Sequence, residues 1–190
     1  MMSSKNDSRE NILSAATRLF HIQGYHATGL NQILKESGAP KGSLYYHFPN
    51  GKEQLAIEAV NMMARLIEGE LREHFSLFDD PVQCIQYHIQ FIAKKFDDIE
   101  NLKSLPVGLM AAETSLFSEP LRTACLSAFE GWEKLYCDKL IQQGYEDTFA
   151  KEISTVINSM IEGAITRSLA NKNGAPLYLA AESIQLLLKK

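Results

Sequence analysis

An all-α fold is predicted by three observations: apolar residues recur at three- and four-residue steps along almost the whole chain, strand-type alternation is missing, and proline is scarce, with 6 in 190 residues. Glycine, proline, asparagine and aspartate then mark where one helix stops and the next begins. The first helix is expected from about Asp7, which caps it while Glu10 reaches back; it shows Ile12, Leu13, Ala16, Leu19 and Phe20 on one face and ends at Gly24. A very short helix follows with Leu30, Ile33 and Leu34 inward and Gly38 as its stop. After Ala39 and Pro40 a second short helix carries Leu44 and Phe48. Two short helices joined by a tight glycine turn are the outline of a helix-turn-helix.

A longer helix is expected beyond Asn50 and Gly51, running with Leu55, Ile57, Val60, Met63, Leu66 and Leu71 to about Phe75. Further helices are expected from Pro81, capped by Asp80, to about Phe96; from about Ser104 to Ser115; from about Pro120, capped by Ser118, to Gln143; from Asp147 to Asn171; and from Pro176 to Lys190. The chain therefore divides into an N-terminal domain over 1–52, a linking helix over about 52–75, and a larger C-terminal domain over 76–190.

With 45% hydrophobic and 22% charged residues, the chain has enough apolar surface to build a core, which excludes disordered and collagen-like classes. No stretch approaches the roughly 18 apolar residues of a membrane span, and the polar start Met1 to Asp7 leads into no apolar signal segment, so no membrane and a cytoplasmic location are expected. Cys84, Cys125 and Cys137 are an odd number in no metal-ligand spacing, and they read as buried free thiols. The net charge is −4, but residues 1–52 hold six Lys and Arg against three Asp and Glu. That end carries a surplus of three positive charges, and the remainder carries −7.

The informative stretch is Thr28 to Lys52, TGLNQILKESGAPKGSLYYHFPNGK. Lys41, Gly42 and Ser43 open the second short helix, where unpaired N–H groups and the positive dipole end favour a phosphate. Tyr45, Tyr46 and His47 follow in succession; with Leu44 and Phe48 facing inward, at least two of these three rings point outward. An exposed aromatic pair beside a lysine is costly unless something docks there.

This segment, with the helix before it, resembles the DNA-binding domain of the TetR family of repressors. The matching residues are Thr28, Ile33, Gly38, Gly42, Leu44, Tyr45, His47, Phe48, Lys52, Glu53 and Leu55, in one order and spacing. The resemblance implies that Thr28 caps the first motif helix and touches a phosphate. It also implies that Lys41, Gly42 and Ser43 approach the major groove, and that Tyr45, Tyr46, His47 and Lys52 contact backbone or base edges. Most of these groups position the protein, and Lys41 and Ser43 above all can read bases. The pattern departs from the family's at Pro40, which replaces a capping serine, at Gly29 and Leu34, and at Gly51, an extra residue before Lys52. The HFPNGKEQL phrasing is similar to the subgroup containing lincomycin-resistance and flavonoid-responsive repressors of bacilli.

For the C-terminal half the family resemblance implies a regulatory domain, and the residues suggest where. Gly163 and Ala164, near Ile157, Met160 and Ile161, let two helices approach closely, and the last helix, with Leu177, Leu179, Ala180, Ile184, Leu187 and Leu188, has more apolar surface than one-sided packing needs. The expected homodimer interface is thus Ile157, Ile161, Gly163, Ala164, Leu177, Ala180, Ile184 and Leu187, a four-helix contact where the family also places it. An effector pocket is expected among Tyr87, His88, Phe91, Met110, Phe129, Trp132, Tyr136 and Met160, large adaptable side chains with a few polar tips; each also suits an ordinary core. His88 and Glu113 either orient a hydroxylated aromatic ligand or satisfy each other.

The expected function is a transcription repressor that binds double-stranded, palindromic operator DNA as a dimer and leaves it when a small apolar or aromatic effector binds. Two readings stand against it: a helix-turn-helix dimer governed by a protein partner or by no effector, and a small helical enzyme. The second lacks a nucleophile beside a base, a metal spacing or a phosphate loop, so no catalytic residue, metal or cofactor is expected.

Overall fold

The computed structural model describes residues 3–98 and 106–189, with the side chains of residues 3–6 left aside. Among the described residues are nine α-helices: α1 (Ser3–Ala27), α2 (Leu30–Ser37), α3 (Lys41–His47), α4 (Gly51–Ser76), α5 (Pro81–Asp97), α6 (Val107–Thr114), α7 (Glu119–Gln142), α8 (Asp147–Asn171) and α9 (Ala175–Leu187). The all-α expectation holds. By contacts the chain forms two compact units, Met1–Met63 with Lys103–Ala128, and Ala64–Leu102 with Phe129–Lys190. In this grouping α6 and the first turns of α7 cluster with the N-terminal helices.

In the first unit α1 packs on α2, α3 and α6. Its core is the expected face of α1, Ile12, Ala16, Leu19 and Phe20, with Ile33, Leu44, Phe48 and Leu55, all buried. The start of α1 is corrected: the helix begins at Ser3, so Asp7 lies inside it and caps nothing. Gly24 does interrupt it, at φ 79° and ψ 176°, but one further turn follows to Ala27. Gly38 closes α2 in the left-handed region at φ 64°, as the turn of the motif requires. Arg9 pairs with Glu58, and Arg18 with Glu36, tying α1 to α4 and α2. Ser118 accepts the amide of Leu121 at 3.3 Å, as a cap should, and donates to Glu53 at 2.6 Å.

In the second unit α5 and α8 both pack on α9. Asp80 caps α5 by accepting the Val82 amide at 3.0 Å, as expected. Glu146 caps α8 by accepting the amides of Thr148 and Phe149. Asp97 at the end of α5 accepts from the Gly174 amide and the Tyr178 hydroxyl, both at 2.9 Å, which fixes where α9 begins. The expected start of α6 at Ser104 lies outside the described residues; α6 is seen from Val107 after Pro106. No described helix is long and apolar enough to cross a membrane.

Candidate nucleic-acid interface

The packing of α3 decides which of its side chains are available. Leu44 and Phe48 are fully buried against the first unit's core. Lys41, Gly42, Tyr45 and Tyr46 are exposed, while Ser43 and His47 are half-buried. Tyr45 and Tyr46 show 48% and 69% of their surface, and the Tyr46 ring meets His47 edge-on at 4.8 Å. A Cβ at Gly42 would touch nothing within 4 Å, so internal packing does not require glycine there. A helical glycine without a packing reason costs about 1 kcal/mol and suits a backbone that something else approaches.

Thr28 and Lys52 are placed differently from the expectation. The cap of α2 is Gly29, with no side-chain bond, so the capping role expected of Thr28 is corrected. Thr28 is buried, and its hydroxyl donates instead to the Gly24 carbonyl at 2.7 Å. Lys52 donates to the Tyr25 carbonyl at 3.0 Å and lies over the Tyr25 ring at 4.3 Å. Burial pulls the Lys52 ammonium below its ordinary value, against the opposing pull of Glu113. Both residues therefore brace the end of α1 from inside the unit.

Glu113 is the residue whose place the sequence did not disclose. It is not paired with His88; its carboxylate accepts the amides of Tyr25 and His26, beside the break at Gly24. A Cβ at Gly24 would overlap that carboxylate, and φ 79° disfavours any L side chain. Gly24→Ala is expected to displace Glu113 and cost about 2 kcal/mol, a drop of about 4–8 °C in Tm by calorimetry. A Tm within 1 °C of wild type would contradict this account of the break.

Two family models match the chain: "Bacterial regulatory proteins, tetR family" over residues 12–59, and "Transcriptional regulator LmrA/YxaF-like, C-terminal domain" over residues 81–183. The chain belongs to the TetR family of transcriptional regulators. It is 53% identical over 189 residues to the uncharacterized HTH-type transcriptional regulator YxaF of Bacillus subtilis, covering 100% of this chain and 99% of that protein. It is 56% identical over 187 residues to the HTH-type transcriptional regulator LmrA of the same organism, covering 98% and 100%. In fold it is similar to the reduced form of E. coli NemR, with a TM-score of 0.81 and 21% identity over 95% of this chain and 97% of that one. The expectation of a TetR-family chain of the bacilli subgroup is thus met.

In this TetR-family chain the expected effector residues do not form one set. Tyr87, His88, Phe91 and Tyr136 do come together in the second unit, around a residue that was not anticipated, His74. The Nδ1 atoms of His74 and His88 are 3.0 Å apart, so one ring donates and the other accepts. His74 follows Leu71 by three residues on α4, a spacing that marks it as inward-facing; its polar ring hid that signal. Trp132 packs against Phe129 and donates to the Ala64 carbonyl at 3.2 Å. Met160 lines a groove on α8 and α9, and Met110 and Glu113 belong to the first unit.

The expected interface residues also separate. Ile157, Leu177 and Ile184 are fully buried and Ile161 is 4% exposed, so these four are spent on packing α8 and α9 inside the protomer. Leu187 is half-buried, Gly163 is exposed, and Ala164 and Ala180 border a groove of about 500 Å³ on α8 and α9. Val156, Leu179 and Leu186 stand on this outer side at 48%, 65% and 75% exposure. The spacings Val156–Met160–Gly163–Arg167 and Leu179–Ser183–Leu186 put one stripe on each helix.

Proposed function

We propose that this regulator is a repressor that binds a palindromic operator as a homodimer in the cytoplasm and is released by a small aromatic effector. The observation that carries the DNA-binding part is the exposed side of α3, where Lys41, Gly42, Tyr45 and Tyr46 face outward with Leu44 and Phe48 inward. A lysine, a bare backbone position and two phenol-tipped rings on one short helix supply a charge for phosphate, room for close approach and hydrogen-bonding groups. Thr28 and Lys52 contribute by bracing this surface, and Ser43 and His47 lie at its edge.

The dimer part rests on the exposed apolar residues of α8 and α9, Val156, Leu179 and Leu186. An isologous contact of the two helices with their twofold mates buries Val156, Leu179 and Leu186 and leaves the protomer core intact. Two copies of α3 then meet two half-sites about one DNA turn apart. The effector part rests on the His74–His88 pair ringed by Tyr87, Phe91 and Tyr136. An aromatic ligand stacks there and bonds to an imidazole, and release follows from its preference for the DNA-incompetent state.

Selection of duplexes from a random pool by the purified protein tests the reading, with an inverted repeat as the expected product. On the selected duplex, Lys41→Ala is expected to weaken binding and reduce the slope of log K against log salt by about 1; uniform weakening of all sequences assigns Lys41 to a phosphate, and relaxed preference at one position assigns it to a base. A pool without enrichment at low salt would refute DNA binding. Release by no member of a broad panel of aromatic compounds would remove the effector.

A further inference from the structure

We propose that Glu113 is a positioning residue for DNA binding: its carboxylate on α6 holds two successive peptide groups at the end of α1, whose opposite sides hold Thr28 and Lys52. This rests on the DNA-binding reading above. The break at Gly24 takes the amides of Tyr25 and His26 out of the helical ladder. One oxygen of Glu113, Oε2, accepts both, at 2.8 Å and 3.2 Å. A carboxylate accepting two amides is a charge-assisted cap, stronger than a neutral hydrogen bond.

The carbonyl ends of the same two peptide groups lead to the motif. The group joining Gly24 to Tyr25 has its amide on Glu113 and its carbonyl on the Thr28 hydroxyl. The group joining Tyr25 to His26 has its amide on Glu113, while its carbonyl accepts the Lys52 ammonium and, at 3.2 Å, the Thr28 amide. A peptide group is planar and rigid, so fixing its amide direction fixes its carbonyl direction. Polarisation along such a chain strengthens each bond in it. Thr28 stands two residues before α2, and Lys52 is the second residue of α4. The placing of α6 is therefore transmitted by one side chain and two peptide planes to the residues that flank the motif. Phe117 adds a second contact beyond α6, against the rings of Tyr25 at 5.9 Å and His26 at 4.9 Å. All of these residues lie in the first unit.

The test compares Glu113→Ala with Glu113→Gln on the duplex selected by the wild type. Glu113→Ala removes the acceptor and is expected to weaken binding about tenfold. Glu113→Gln keeps an oxygen for the two amides and is expected to stay within about threefold of wild type. Hydrogen exchange supplies the direct readout: the Tyr25 and His26 amides exchange faster in Glu113→Ala than in Glu113→Gln. Binding within twofold in Glu113→Ala, despite faster exchange of those amides, would overturn the proposal. Equal tenfold losses in both variants, with the Tyr25 and His26 amides still protected in Glu113→Gln, would also overturn it, because the two peptide groups would be held without restoring DNA binding. Should Glu113→Ala fail to fold, a Glu113→Gln protein with unprotected Tyr25 and His26 amides and wild-type affinity overturns it equally. A wild type that enriches no duplex removes the DNA-binding reading first, and the proposal with it.

Discussion

Leu179→Glu is expected to turn the protein into a folded monomer that no longer holds its operator. Leu179 is 65% exposed on α9, so the protomer gives up little packing when it changes and helical content should stay near wild type, while Tm falls by the stabilisation that dimerisation had supplied. In the proposed interface the same position faces the twofold mate, and each subunit would bring an unpaired carboxylate into an apolar contact. A desolvated charge of this kind costs about 3 kcal/mol, and symmetry applies it twice. About 6 kcal/mol raises the dimer dissociation constant by more than four orders of magnitude. Sedimentation velocity at micromolar concentration should show a single species near 21.3 kDa, and mobility shift on the selected duplex should fail. A variant that remains dimeric would place the interface on another surface.

Acidification from pH 7 to pH 5 is expected to lower the unfolding free energy by about 2 kcal/mol through the buried histidine pair. Burial drives His88 down to about 3, with His74 and Lys95 adding to it. His74 is lowered chiefly by burial as well, although Glu70 and Glu73 oppose this. In the unfolded chain both rings titrate near 6.5. Below that pH the unfolded state binds protons that the folded state refuses, so the contribution is complete above about 6.5 and is lost as pH falls toward 3. Urea midpoints at pH 7, 6 and 5 measure it, and the window lies above the range where most carboxylates titrate. His88→Gln should lower stability at neutral pH and flatten this slope. Parallel slopes for the two proteins would show that the pair is not its source.

Much of this molecule is written in local pattern. The apolar spacing of α1, the glycine stop of α2, the inward pair Leu44 and Phe48, and the Asp80 and Ser118 caps are each set by residues within one or two turns. The outward set on α3 follows from the inward pair, because a short helix has few ways to turn. Apart from the start of α1, what was misread depends on partners far away in the chain. The cap expected at Asp7 was displaced because α1 begins four residues earlier. Thr28 bonds to Gly24 and Lys52 to Tyr25 because α1 breaks and continues, an arrangement held by Glu113, 88 residues on from Tyr25.

The same contrast separates Leu177 from Leu179. Both are leucines on α9, two residues apart, and the sequence offers them equally for a partner or a core. Packing against α5 and α8 buries the first completely and leaves the second outside. By itself the sequence determined the helices, the family and the exposed side of the motif, since periodicity, caps and a fixed spacing of residues are local properties. Only the tertiary structure decided that His88 meets His74, that Glu113 serves α1, and which apolar side chains remain for another subunit. Those choices depend on which helices pack together, and a helix carries no local record of its neighbour.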